Sequence, residues 1–534
     1  MSSASGFNRA VQAVAGFFAL RPAAATIAPN LVSAAISTVT VVCACLLFGP
    51  QLGMVSLLGA LTTFWETGRP LWARIRNGLL VSAALTASMS AGVLVAPYQW
   101  AIVPASVLII LLVSLAYYAF TLTAGPSPVM MFYAAVLGTF FGADQRVGWQ
   151  AVGITASAAI FTSVLLLVPL VFVPHAPERR AVVQARSAVA AYEKRPGADP
   201  ETQRISRNNA YQAVSSAWLT LRSAWPADRG PRHRELAAEL MQINRSLAAT
   251  ILGRLGVDSA IRPLTPDTPL LLGRPSRRFL ISRALRGHSV ECFTSWRMAL
   301  AAGIAGTISQ LIGIGHPYWA ILTATVVINQ WMDRGAATRR AAHRTVGTLL
   351  GIGVVWAVSA LNPSVWWSVV IVLLCMVGQY LVLPMNYAFA LMFITPMALL
   401  AVEASGTGGT MASLSFDRFS DTLIGAMTAV AVTWGTSWFF PRRLVRAQSP
   451  RTAAALAAVE DVNRTGDQFS PEGRRARVEL QYELIHHLSV LERAVRDDPR
   501  LADLADAEHR LADAGYAALG RAWQVRPVCV AESA

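Results

Sequence analysis

Two stretches of this chain stay apolar for far longer than a globular core requires, and each is interrupted only at short intervals by glycine, proline or a charge. The first block gives apolar runs near 27–47, 51–65, 77–97, 100–121, 127–142 and 149–173, the second near 297–314, 317–331, 344–361, 364–382, 386–402 and 419–440. A helix needs about 17–25 apolar residues to cross a bilayer, and fewer where it is packed inside a bundle. The pattern therefore predicts an all-α polytopic membrane protein with about twelve spans, six in each block. Between Ile27 and Val173 the only charged residues are Glu66, Arg69, Arg74, Arg76, Asp144 and Arg146. In the second block the charges gather at Asp333, Arg334, Arg339, Arg340 and Arg344, and again at Glu403, Asp417, Arg418 and Asp421.

Between and after the blocks the period changes. Residues 174–296 and 441–534 are rich in Arg, Glu and Gln, with apolar positions at helical spacing, as in Tyr211-Val214-Trp218-Leu221, Leu236-Leu240-Ile243-Leu247 and Leu480-Leu484-His487-Leu488-Leu491. Each block is thus followed by a soluble helical region, with Pro263 to Pro275 as an irregular connector in the first. Residues 1–26 superficially resemble a signal peptide, but Arg21-Pro22 breaks the apolar stretch, so the expectation is an interfacial amphipathic segment. The expected divisions are 1–26, block one at 27–173, insert and connector at 174–296, block two at 297–440, and the C-terminal region at 441–534.

That order is the order of a repeat. Arg146-Val147-Gly148-Trp149-Gln150-Ala151-Val152-Gly153 and Arg418-Phe419-Ser420-Asp421-Thr422-Leu423-Ile424-Gly425 open the last run of each block with Arg and Gly at one spacing. Trp65-Glu66-Thr67-Gly68-Arg69 and Trp331-Met332-Asp333-Arg334-Gly335 form a looser match after the second runs. An even number of spans per block makes the repeats parallel, related by an axis along the membrane normal. Basic residues mark the cytoplasmic side. With a cytoplasmic N-terminus, Arg9, Arg21, Arg69, Arg74, Arg76, Arg179, Arg180, Arg334, Arg339, Arg340, Arg344, Arg442, Arg443 and Arg446 all fall inside, and only Arg146 and Arg418 fall outside. Both soluble regions and the C-terminus are then cytoplasmic.

Composition agrees and narrows the chemistry. With 54% hydrophobic and 14% charged residues in 534, the apolar surface exceeds what a soluble fold of this length hides. The formal charge of +15 sits at span ends rather than on a basic domain interleaved with aromatics, which argues for membrane topology and against nucleic acid. The five cysteines lack CxxC or Cys/His spacing, so neither a metal nor a disulfide framework is expected. Lys194 is the sole lysine, and its Tyr-Glu-Lys-Arg setting is no P-loop. No nucleophile elbow or paired catalytic carboxylates occur, so the reading is a non-enzyme without cofactor.

Gly315-His316-Pro317-Tyr318-Trp319-Ala320-Ile321-Leu322-Thr323, then Arg340 and His343-Arg344-Thr345-Val346-Gly347-Thr348, then the Arg418 to Gly425 stretch, resemble the fusaric acid resistance family. The resemblance is sharpest over about 296–441 and weaker over 27–173, where Gly49-Pro50-Gln51-Leu52 replaces the HPYW motif. It implies a bacterial inner-membrane protein of the aromatic-acid-exporter type, distantly similar to plant malate channels. Structural motif residues on this reading are His316, Pro317, Tyr318, Trp319, Gly347, Arg418, Asp421 and Gly425.

The candidate residues each carry two readings. Glu66 and Asp333 follow a tryptophan near the cytoplasmic end of a second run, where they either couple transport to protons or lie at the interface neutralised by Arg69 and Arg334. Arg339, Arg340, His343 and Arg344 form two i, i+4 pairs if helical, and either face an anion at the cytoplasmic mouth or anchor topology. Asn329 and Gln330, with Gln310, Thr323 and Thr325, can bond a carboxylate or join helices. Arg418 and Asp421, three apart on one helix face, read as a local ion pair. The expected function is a secondary exporter of small organic, aromatic-type carboxylates or related toxic compounds, with a passive anion channel and a membrane scaffold as alternatives. Expected partners are the lipid bilayer, a small organic anion and a second copy of the chain.

Overall fold

The computed structural model describes residues 16–20, 24–66, 68–120, 128–195, 197, 199–224, 230–254, 275–313, 316–329, 333–404, 410–466 and 470–522. Most of the expected N-terminal segment and of the Pro263–Pro275 connector lies outside them. The described residues are helical and contain no strand. They fall into two compact units, one of Met1–Thr67, Arg74–Val168 and Glu291–Ser437, the other of Gly68–Ala73, Pro169–Val290 and Trp438–Ala534.

The first unit is apolar. Its helices are α1 (Ala24–Gly53), α2 (Leu57–Ala60), α3 (Leu71–Val95), α4 (Ile102–Phe120), α5 (Val129–Phe141) and α6 (Gln145–Leu165). The second unit follows with α7 (Ala176–Glu193), α8 (Pro200–Ser223), α9 (Pro231–Arg254) and α10 (Arg277–Ala284). The chain then returns to the first unit as α11 (Val290–Ile312), α12 (Pro317–Ile328), α13 (Arg334–Ser359), α14 (Val365–Val382), α15 (Tyr387–Ala404) and α16 (Met411–Thr436). It closes the second unit with α17 (Phe440–Thr465), α18 (Pro471–Asp497) and α19 (Ala502–Arg521). Among the described residues six helical stretches are long and apolar enough to cross a membrane, or seven if the α16–α17 pair counts as one. The helices Val129–Phe141 and Pro317–Ile328 are apolar but shorter.

Two expectations are corrected here. The run 51–65 is not a straight second helix. Gly49 adopts the left-handed φ of 82° and Pro50 follows it, so the chain bends and continues in short pieces, Met54–Ser56, Leu57–Ala60 and Thr63–Glu66. Several helices also begin earlier than hydropathy alone suggests. α13 starts at Arg334 because the Asp333 carboxylate accepts the Ala336 N–H at 2.8 Å, and α16 starts at Met411 under a Thr410 cap. Arg344 and Arg418 therefore sit inside helices, not at their ends.

Small residues let backbones of the first unit touch. A Cβ on Gly425 of α16 would lie 2.5 Å from the Ala320 carbonyl of α12, and one on Gly347 of α13 would meet the Ala388 carbonyl of α15. Gly59 of α2 is held in the same way against Thr155 and Ala158 of α6, and Gly92 of α3 against Ala135 of α5. In each block the sixth run thus packs on the second and the fifth on the third. At one end Arg74 reaches back so that its Nη1 donates to the Leu166 carbonyl at 2.6 Å, where the last carbonyls of α6 favour a cation.

The second unit is two sets of three helices, α7–α9 and α17–α19, around a core that includes Tyr211, Val214, Trp218, Leu240, Leu247, Leu484, Leu488 and Tyr516. The apolar stripes at helical spacing are the faces buried there. A polar seam runs through it: Arg283 of α10 donates to Glu483 at 3.0 Å, and His487 of α18 lies against the Glu508 carbonyl at 3.1 Å and its carboxylate at 3.3 Å. Burial lowers the His487 pKa, and this outweighs the pull of Glu508 and Glu483 toward the charged form.

Two outcomes follow from this packing. Gly425→Leu forces two backbones apart at a cost of about 1–3 kcal/mol or more. It should lower the melting temperature of the detergent-purified chain and broaden its size-exclusion peak, whereas Gly353→Leu, with nothing within 4 Å of its Cβ, should do neither. A histidine held neutral by the fold contributes stability above its unfolded pKa of about 6.5 and loses it as pH falls below that value. Hydrogen exchange in α18 and α19, corrected for intrinsic rates, should therefore accelerate between pH 7.5 and 5.5, and His487→Gln should flatten that dependence.

Candidate functional site

Four arginines of the apolar unit are buried, Arg74, Arg297, Arg344 and Arg418, and glycine contacts place the last two. Gly347 brings the backbone of α13 onto the start of α15, which sets Arg344 beside Tyr387. Gly425 brings α16 onto α12, and two turns earlier the Arg418 guanidinium lies over the Trp319 ring, 4.1 Å from its centroid. Each of these two arginines is 1% exposed.

Arg344 donates from Nη1 to the Tyr387 hydroxyl at 3.1 Å and from Nη2 to the Tyr133 hydroxyl at 3.4 Å, leaving Nε without an acceptor. None of Arg418's three nitrogens makes a well-aligned hydrogen bond, the Tyr133 hydroxyl being its nearest polar neighbour of that kind. The Tyr133 hydroxyl lies within electrostatic reach of both guanidinium groups, and the two repel one another. Cation–π contact with Trp319 returns about 2 kcal/mol where water is excluded, but it uses the flat face of the guanidinium and none of its N–H bonds. A charged side chain at membrane depth costs about 2.5–3.5 kcal/mol even on insertion scales. The centre therefore has a cationic excess and several idle donors.

The ion pair expected between Arg418 and Asp421 does not form. Asp421 is fully buried, and its carboxylate instead accepts the Ser309 hydroxyl at 2.7 Å and the His316 backbone N–H at 2.9 Å. It thereby caps the start of α12, where Pro317 needs no donor partner. The His316 ring lies near Tyr318, with centroids 5.1 Å apart.

The remaining candidates divide. Arg340 is half-buried with its guanidinium 4.8 Å from the Tyr387 ring centroid, His343 stacks edge-on against Phe17 at 4.2 Å, and Arg339 is exposed. Arg340 and Arg344 thus flank one tyrosine, and Arg339 stands apart. Asn329 ends α12 and its Oδ1 accepts the Tyr118 hydroxyl at 2.9 Å. Asp333 is the cap of α13. Gln330 and the side chain of Glu66 lie outside the described residues. The sequence match between Arg146 and Arg418 does not extend to their surroundings. Arg146 is exposed at the start of α6, and Gly153 has nothing within 4 Å of its Cβ where Gly425 is in backbone contact. Tyr133 and Tyr387 escaped the sequence reading. The available signal was a tyrosine amid the apolar run Val129–Phe141, whose hydroxyl needs a partner when buried.

The inner membrane protein YccS of Escherichia coli K12 is 32% identical over 200 residues, 36% of this chain and 26% of that one. The uncharacterised E. coli protein YhfK is 25% identical over 189 residues, 34% of this chain and 26% of that one. The matches span about a quarter of the length of these relatives. No solved structure matches the chain. Residues 304–432, which hold Trp319, Asn329, Arg344, Arg418 and Asp421, match the family model described as fusaric acid resistance protein-like. Over this block the chain is similar to the fusaric acid resistance protein-like family, and one of its matched relatives is an inner membrane protein.

Proposed function

We propose that this chain is a secondary exporter that carries small organic anions, aromatic carboxylates among them, outward across the bacterial inner membrane, and that Arg344 and Arg418 hold the anion midway. The observation that carries this reading is Arg418, buried to 1% exposure with three nitrogens that lack a well-aligned acceptor. A carboxylate is the ligand such a fork binds best. Arg340 and His343, one turn or less from Arg344, make the approach from the cytoplasmic side, with Arg339 at its exposed rim.

In this reading both blocks cross the membrane six times as parallel repeats, with both termini and the second unit cytoplasmic. The glycine contacts support it, since second packs on sixth and third on fifth in both blocks. The short α5 is about 20 Å long at 1.5 Å per residue, enough for a crossing deep inside a bundle with water at its ends. The inside-negative potential drives an anion outward by about 2.3 kcal/mol per charge per 100 mV, so export needs no proton from Asp333, whose carboxylate is engaged as a cap.

Liposomes bearing the full chain and loaded with labelled benzoate test the reading. With a potassium diffusion potential, negative inside, efflux should exceed that of empty liposomes and fall at least about tenfold in Arg418→Gln. No protein-dependent efflux from correctly inserted chain, under either polarity, would sink it. Because an unpaired buried charge is a cost that an apolar residue avoids, Arg418→Met should match or exceed the thermal stability of the native chain in anion-poor buffer. A collapse of stability would make Arg418 a strut rather than a binding group.

A further inference from the structure

We infer that Asp421 sets the valence of the anion, so that the centre selects a single negative charge and discriminates against dianions. This rests on the reading of Arg344 and Arg418 as the anion site. The fully buried charges on α13 and α16 are Arg344, Arg418 and Asp421. Arg297 and Glu291 of α11 are buried too, and their opposite charges cancel in the sum. Asp417 and Arg340 are partly exposed, where water screens them.

The three buried charges sum to one positive. Asp421 shares a helix face with Arg418, three residues along, yet it does not consume the guanidinium's hydrogen bonds. Ser309 and His316 hold its carboxylate by two donors and fix it in place. Arg418 keeps its N–H groups for a ligand while the local field is reduced by one unit. A monocarboxylate completes the neutral set. A dianion overshoots it and leaves one charge uncompensated in a medium where that is costly. Were Asp421 bonded directly to Arg418, it would block the site. Were it absent, the centre would hold two positive charges and favour a dianion. Asp421 is thus a specificity-determining residue that acts through the field and not by touching the ligand.

The test uses the full chain in detergent at pH 8, with labelled benzoate displaced by phthalate or by monomethyl phthalate, which has a similar shape and one charge fewer. In the native chain monomethyl phthalate should compete at least about tenfold better than phthalate. In Asp421→Asn that preference should shrink at least about tenfold or reverse, and in Asp421→Glu it should persist. The native measurement stands even if Asp421→Asn fails to fold, since equal competition by the two phthalates would by itself overturn the inference. An unchanged preference in a folded Asp421→Asn would overturn it too, leaving the anion site intact if Arg418→Gln still abolishes benzoate binding. Benzoate binding that survives Arg418→Gln would overturn the site itself.

Discussion

The rest of the membrane unit depends on one constraint, the burial of two guanidinium groups in an apolar bundle without an acid paired to either. Such groups are always charged, and a bundle that hides them must supply dipoles, rings or a ligand. Here Tyr133 and Tyr387 give Arg344 its acceptors, and the Trp319 ring takes the face of Arg418. The close approach of α13 to α15 and of α16 to α12 at Gly347 and Gly425 makes these contacts reachable. A bulkier residue at either glycine moves an arginine off its support, so packing and electrostatics are a single problem in this block.

The two blocks share a packing pattern but not a chemistry. In the second, α16 carries an arginine in its third turn and an acid that caps its neighbour. In the first, the matching arginine is exposed at the mouth of α6, and the block's contribution to the centre is the hydroxyl of Tyr133. On the proposed reading, a binding centre built mainly by one half and completed by the other gives an anion two unlike walls. That suits a carrier or conduit with a preferred direction.

Much of this was legible in the sequence, for definable reasons. Apolar runs broken by glycine and proline located nearly every helix of the membrane unit, since helix length in a bilayer is set by its thickness. Stripes such as Tyr211-Val214-Trp218-Leu221 marked the buried faces of the second unit because helical spacing is local information. The HPYW and Arg418 to Gly425 motifs fall in the stretch that matches the family model. What was hidden was tertiary. Arg418 and Asp421 stand at a spacing that ordinarily means an ion pair, and only the placement of Ser309 and the His316 N–H shows that the acid is spent elsewhere. Arg344 read as a mouth residue because hydropathy begins the helix after the charges, whereas the Asp333 cap begins it before them. Tyr133 lies in an apolar run whose partner helices no sequence period identifies.

The most direct measurement is the position of a heavy-atom anion in the intact protein. Crystals or grids of the full chain with 4-iodobenzoate should show iodine-marked density beside Trp319, with its carboxylate between Arg344 and Arg418. Density confined to the exposed surface around Arg339, with the buried centre empty at saturating ligand, would contradict the account.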